Sequence, residues 1–292
     1  MNPVPALAAS WVVAKLTFRE CTRRKVFLIL PIATVGFIGL FALGTHHAFD
    51  SAASDFGDAG RGPFDTRVLI GATLLGLSMF VTMFLGSTLG IFLTMSAIRG
   101  DAEQGLLQPL VVRPVARYGL LLGRFLAASV LCVAYVMLLY WASVLIVSAT
   151  GNWSPPQPLL PALSLAGGVV IVIALSLLGS ALMPALANGI VMFIVYGGGL
   201  LAGLLGQLGE GIGSESLETT GRVTSWILPF EALYQAGLYS LTADTGGLTR
   251  FVVQLGPLGG AQESGIELVL WSLFYAAAVG ATTLALFTRR DL

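Results

Sequence analysis

Three stretches of this chain carry residue types with the means to do chemistry. Residues 99–124 read RGDAEQGLLQPLVVRPVARYGLLLGR. Asp101, followed three residues later by Gln104, makes a start resembling a capping box, and a carboxylate suits the positive end of a helix. Leu106, Leu107 and Leu110 add an apolar patch, and Pro109 limits the helix. That chemistry is docking: a short helix with an exposed hydrophobic end marks a protein contact. The plainer alternative is a loop helix resting on lipid headgroups. The second stretch, residues 45–66, holds Asp50, Asp55, Asp58 and Asp65 with His46 and His47. Imidazole and carboxylate are metal ligands, but adjacent histidine side chains diverge, and acids spread through a Gly/Ala/Ser-rich loop are ordinarily solvated. We assign no metal there. The third stretch, residues 222–241, reads RVTSWILPFEALYQAGLYSL and is broken by Pro229. Trp226, Phe230, Tyr234 and Tyr239 are aromatics that favour a membrane interface. Glu231 is its one acid, with water exposure the expected state and a substrate or gating role the sharper alternative.

The elements that must position these residues are membrane spans. Of 292 residues, 56% are apolar and 10% charged, with a mean hydropathy of +0.87. Soluble domains carry about 25% charged residues, so a soluble enzyme, a nucleic-acid binder and a disordered chain are all excluded. A bilayer core of about 30 Å needs roughly 20 apolar residues per helix. Six stretches qualify: 26–44, 68–97, 125–149, 159–182, 185–206 and 268–288. The fourth and fifth adjoin, and as one helix they would reach about twice the core thickness, so a reversal is required at Met183-Pro184, just before Asn188.

Charge sets the orientation. With the N-terminus in the cytoplasm, eleven basic residues lie inside (Lys15, Arg19, Arg23, Arg24, Lys25, Arg99, Arg113, Arg117, Arg124, Arg289 and Arg290) and four outside. The positive-inside rule selects that topology, with both termini cytoplasmic. The basic flank ends at Lys25, too far into the chain for a cleaved signal peptide. Ahead of the first span, Leu7, Trp11, Ala14, Phe18 and Cys21 share one helical face beside a stripe of Lys15, Arg19 and Arg23. Residues 1–25 therefore read as an interfacial amphipathic helix.

What is missing is equally informative. No ionisable residue falls within the six spans as drawn, whereas carriers driven by protons or sodium place one at membrane depth. The only lysines, Lys15 and Lys25, follow no P-loop glycine run, and no HExxH occurs. The chain is read as no enzyme: catalytic residues and a bound cofactor are not expected, and energy for uphill movement must come from another polypeptide. Cys21 and Cys132 form no disulfide framework or metal spacing and read as apolar filler. Met79 and Met83 read as core filler too. The spacings Gly86–Gly90, Gly119–Gly123 and Gly199–Gly203 match GxxxG and read as close packing within the chain, with a dimer face as the alternative.

Residues 99–124 also resemble the permease subunits of the ABC type-2 exporter family. Glu103, Gly105, Leu106 and Leu107 fit the family's acid, Gly-Thr-Leu-like step and Leu pair, with Leu106 where Thr is usual. Arg113-Pro114-Val115-Ala116-Arg117 and Gly123-Arg124 fit its Pro-Val-Ser-Arg-like element and the basic residue that follows, with Ala116 where Ser is usual. The amphipathic N-terminus, six spans, long outer segment and basic tail extend the resemblance along nearly the whole chain. It implies an all-α membrane protein: an elbow helix at 1–25 and a six-span domain at 26–292, with a coupling loop at 98–124 and an outer segment at 207–267. It implies that Asp101, Glu103, Gly105, Leu106 and Leu107 meet a separate ATP-binding subunit. Arg113 and Arg117 would hold the return to the membrane, a role they fill equally well as ordinary positive-inside anchors. Residues 222–241 would form re-entrant or outer-gate helices, with Pro229, Phe230, Glu231 and Tyr234 as gate residues. The implied partners are two ATP-binding cassette subunits, a second permease copy or paralogue and the lipid bilayer, with no nucleic acid. ATP and Mg would sit on the partner subunit, in the cell (inner) membrane. The rival expectations are a non-transporting anchor or assembly factor and, less favoured, an ion-coupled carrier. The Ala, Leu, Val and Gly content of the spans leans toward an amphipathic or apolar cargo.

Overall fold

A computed structural model describes residues 26–56, 66–97, 117–241 and 265–289. The elbow helix, the coupling loop from Asp101 to Arg113 and the basic tail beyond Arg289 lie outside the described residues. Eight helices are described: α1 (Val26–Phe56), α2 (Thr66–Thr94), α3 (Arg117–Gly151), α4 (Leu159–Leu182), α5 (Ala185–Ile212), α6 (Glu215–Ile227), α7 (Pro229–Leu241) and α8 (Ile266–Arg289). No strand occurs among the described residues. Six of the helices are long and apolar enough to cross a bilayer, over Leu30–Ser51, Arg67–Thr94, Gly119–Gly151, Leu159–Leu182, Ala185–Gly206 and Ile266–Phe287. The protein is an all-α, multi-pass membrane protein.

The boundaries follow from local chemistry. The reversal falls where expected, with Met183 extended at the C-cap of α4 and Pro184 opening α5. The first helix instead continues past Gly44 to Phe56, through residues read as loop. Residues 45–56 contain neither Gly nor Pro, and His46 Nδ1 pairs with Asp50 Oδ2 at 2.8 Å one turn on. No group of three or more His, Cys, Asp or Glu residues able to hold a metal occurs among the described residues. The third helix begins at Arg117, eight residues before the expected span, which brings Arg124 inside a spanning helix. The expected absence of ionisable groups from the spans is corrected: besides Arg124, the spanning stretches take in His46, His47 and Asp50 of α1, Arg67 at the start of α2 and Glu267 at the start of α8. α5 also runs past Gly206 to Ile212, where Gly213 takes the left-handed conformation (φ 68°) that ends a helix most easily when no Cβ is present.

α4 is the central post. It packs against α2, α3, α5, α7 and α8, and 67% of its span is buried against 17% for α8. Its Ala, Gly and Ser residues let neighbours approach closely, which matters because lipid removes the hydrophobic drive between helices and leaves packing to hold them. Gly86 and Gly90 of α2 are occupied within the chain. A Cβ on Gly86 would crowd Val136 of α3 and lie 3.2 Å from Val169 Cγ2 of α4, and one on Gly90 would lie 2.8 Å from Ile173 Cγ1. Met79 and Met83 are fully buried, Met83 Cε reaching Gly168. At one end of the bundle α1 packs on α3 through Phe49 and Gly151, and Trp153 closes over Gly71 of α2. That is the hairpin end. The other, from which residues 98–116 depart, is the loop end.

Candidate functional site

The hairpin end takes its name from α6 and α7. After Gly213, the chain turns back on itself, and Ser214 N–H donates to Gly209 O at 2.8 Å. Glu215 and Glu218 occupy the first turn of α6, where the helix dipole favours acids, and Arg222 pairs with Glu218 across one turn. α6 then runs antiparallel to α5. Leu217 and Glu218 lie on Gly209, Gly221 meets Gly206 backbone to backbone, and Leu228 reaches Gly199. A Cβ on Gly206 would stand 3.0 Å from Gly221 Cα, so this crossing depends on glycine at both positions. Leu228 breaks the helix, and Pro229, with no amide proton to lose, opens α7 in the reverse direction.

The return leg is buried almost all round: Pro229, Phe230, Glu231, Leu233, Tyr234, Gln235, Gly237 and Leu238 are all interior. Its level is set by α4. Phe230 O lies 3.2 Å from the Cβ position of Gly168, and Gly237 lies beside Ser164 and Pro161. Gly168 is nine residues into the 24-residue α4. At 1.5 Å per residue the hairpin tip therefore sits about 13 Å in from that end, close to half the thickness of a bilayer core. Residues 215–241 form a helical hairpin that reaches into the bundle and is walled by protein, the setting in which a broken helix is tolerated at such a depth.

Around the tip the four expected gate residues come together. Phe230 stacks on Tyr196 of α5 with centroids 5.6 Å apart, and Tyr196 meets Phe84 of α2 at 6.2 Å. Tyr234 is buried and within electrostatic reach of both Tyr196 and Glu231. Water exposure of Glu231 is corrected: only 3% of it is accessible. Its carboxyl lies directly on Gly203 of α5, and Gln235 Nε2, one turn on along α7, donates to Oε1 at 2.6 Å. Glu231 lies outside the six spanning helices. Burial raises its carboxyl pKa to about 7 from an ordinary 4.5, against a lowering by the Gln235 hydrogen bond. The positive end of α7 also favours the carboxylate, by about 0.3–1 kcal/mol and up to about 2 kcal/mol when buried. An uncompensated buried charge costs about 3–5 kcal/mol, so burial wins.

Gln235, Tyr196, Gly199, Gly203, Gly206 and Gly221 belong to this site, and sequence reasoning did not assign them to it. A signal was present in part: Glu231 and Gln235 are one turn apart, and Gly199, Gly203 and Gly206 share a face of α5. Several polar atoms here have no hydrogen-bond partner among the described residues, namely Gln235 Oε1 and the hydroxyls of Tyr234, Tyr196 and Ser87. Tyr196 and Ser87 face each other without hydrogen-bond geometry.

At the loop end a single amide ties three helices. Asn188 is fully buried, and its Nδ2 donates to Ser176 O of α4 at 2.9 Å and to Met95 O, just past α2, at 3.2 Å. Its Oδ1 presses on Gly179. Residues 95–97 form a turn held by Met95 N–H to Ile91 O and Ala97 N–H to Thr94 O. Asn188 thus anchors the point from which residues 98–116 leave. Asp101, Glu103, Gly105, Leu106, Leu107 and Arg113 lie outside the described residues, and Arg117 is the first residue of α3. An apolar groove of about 370 Å³ opens near this end between α3, α4 and α8, lined by Leu121, Phe125, Leu177 and Leu284 among others. Comparison with protein-family models and with curated proteins gave no match.

Proposed function

We infer that this chain is the membrane-spanning permease subunit of an ATP-driven exporter of the ABC type-2 kind, working with separate ATP-binding subunits. The observation that carries the reading is the run from Glu103 to Arg124, whose acid, Gly, Leu pair and Arg-Pro-Val-Ala-Arg element match the coupling loop of that family. Two features of the fold support it. Asn188 fixes the root of that loop to α4 and α5. α5 then runs as one rod from Asn188 to the glycines on which the re-entrant hairpin rests. In this mechanism ATP-driven closure of two cassette subunits presses Asp101, Glu103, Gly105, Leu106 and Leu107. Arg113 and Arg117 hold the loop's return, and the displacement travels along α2 and α5 to the hairpin. Pro229, Phe230, Glu231 and Tyr234 form the outer gate. A second permease copy or paralogue supplies the other half of the path, both termini are cytoplasmic, and the membrane is the cell (inner) membrane. ATP and Mg bind the partner subunit. The groove between α3, α4 and α8 is apolar, in keeping with an amphipathic or apolar cargo.

The test is capture of the tagged protein from its native host in mild detergent, with mass spectrometry of what is retained. An ATP-binding cassette subunit should accompany the wild type and be lost with Leu106→Arg. A preparation with no such subunit, even after cross-linking, replaces the exporter by a membrane anchor or assembly factor. One observation favours an ion-coupled carrier instead, the burial of Glu231 at membrane depth. Transport that survives ATP depletion and collapses with an uncoupler would select that reading.

A further inference from the structure

Among the described residues no cation faces Glu231. The elements packed against α7 are α2, α4, α5, α6 and α8. α4 contains no titratable residue. From α2 the nearest polar group is Ser87, beside Tyr196, and its one ionisable residue, Arg67, begins the helix twenty positions away. α5 brings Tyr196, with Glu210 two turns beyond Gly203. α6 brings Glu215, Glu218 and Arg222, and Arg222 is exposed and paired with Glu218. α8 brings Glu267, Tyr275 and, as its last residue, Arg289. On α7 itself stand Tyr234, Tyr239 and Gln235. The carboxyl lies against Gly203, where even a Cβ would clash with it, which leaves no room on that side for a hydrated metal or an organic cation. A proton needs none. Acceptors are present too: the Gln235 amide turned end for end offers Oε1 to a carboxyl O–H, and the Tyr234 and Tyr196 oxygens have no partner among the described residues.

We propose that Glu231 is a proton-binding site that latches the re-entrant hairpin, protonated while the tip is seated against Gly203 and ionised when the tip withdraws and admits water. On opening, the carboxyl O–H bond breaks and the proton passes to that water. On closing, the carboxylate takes a proton back. Closing therefore consumes a proton, and by linkage rising pH favours the open hairpin. The proposal deepens the gate reading of the hairpin and rests on it, but it does not rest on any particular energy source.

The test is hydrogen–deuterium exchange of the purified chain in lipid nanodiscs at about pH 5 and about pH 8, corrected for intrinsic rates, following peptides that cover residues 213–241. Wild-type protection at the tip should fall by about tenfold or more between the two. Glu231→Gln, neutral at every pH, should stay protected at both. Flat wild-type protection, or a fall retained in Glu231→Gln, overturns the latch. Infrared spectroscopy decides independently if that variant fails to fold. A protonated carboxyl band in wild type at about pH 5 that disappears at about pH 8 supports the proposal, and the lack of one at the lower pH overturns it. No ATP-binding subunit takes part, so an absent ATPase overturns the exporter and leaves the latch standing, whereas flat protection overturns the latch alone.

Discussion

Glu231 and Gly203 are one interaction seen from two helices. A methyl group on Gly203 would stand 2.6 Å from the Glu231 carboxyl carbon and 3.2 Å from Gln235 Nε2, and overpacking of that kind costs about 1–3 kcal/mol. Gly197, six residues earlier on α5, has nothing within 4 Å of its Cβ position. Gly203→Ala should lower the thermal midpoint in detergent by several degrees, while Gly197→Ala, which gains about 1 kcal/mol of helix propensity, should leave it unchanged or raise it. Glu231 also makes stability depend on pH with a defined sign. Its folded pKa, about 7, lies above the ordinary 4.5, so its stabilising contribution is complete below pH 4.5 and is lost as pH rises through about 7. The difference in midpoint between Glu231→Gln and wild type should be small at about pH 4. It should grow in favour of the variant by about pH 8, toward a limit on the order of 3 kcal/mol. A difference that is flat across that range would remove the buried acid from the explanation.

Among the elements, α5 joins the two ends of the molecule. At the loop end Asn188 hydrogen-bonds α4 and the turn after α2, and at the hairpin end Gly199, Gly203 and Gly206 seat the tip and α6. Asn188→Ala removes two hydrogen bonds from a fully buried site and should cost about 1–3 kcal/mol. Amide exchange should accelerate at residues 95–97 more than at the hairpin. Equal acceleration everywhere would mean that Asn188 supports general packing and not the root of the loop. Gly221→Val should separate α6 from α5, because the facing atom is the backbone of Gly206, which cannot move aside. Gly36→Val on α1, where space is open, is the matched control. Limited proteolysis within residues 213–241 should increase for the first variant and not for the second. Trp271 of α8, whose Nε1 donates to Trp226 O at 3.0 Å, adds a further tie between the hairpin and the bundle.

For the whole molecule the charge pattern predicts an orientation that labelling can read. Glu215 and Glu218 stand at the hairpin end, while Arg117 and Arg289 stand at the loop end of their helices. With Cys21 and Cys132 replaced, a cysteine at the exposed Thr219 should react with a membrane-impermeant maleimide in intact cells. One at Asp291 should react only after the membrane is opened. The reverse pattern would place the hairpin in the cytoplasm and rule out the outer gate proposed for it.

Hydrophobic length and proline settled the membrane architecture before any tertiary contact was known. Six apolar stretches of bilayer length can only be helices in lipid, since each backbone polar group must be satisfied within its own segment. The breaks at Pro184 and Pro229 are local consequences of a missing amide proton and a fixed φ. Charge bias gives an expected orientation from the same kind of local information. Helix ends without such punctuation escaped that logic, as at Phe56 and Arg117, because a short polar stretch free of Gly and Pro continues a helix as readily as it forms a loop. The burial of Glu231 was not legible at all. Beside Pro229 and among aromatics it reads as an interfacial acid, and only the docking of α7 between α4 and the glycine face of α5 removes water from it. Asn188 likewise appeared as a polar residue beside a turn, and its partners at Ser176 and Met95 lie 12 and 93 residues away in the chain. Local composition determined which segments enter the membrane and where they turn. Which polar groups meet inside it was decided by packing between segments remote in sequence, since the energy of a buried acid or amide depends on neighbours that no local pattern encodes.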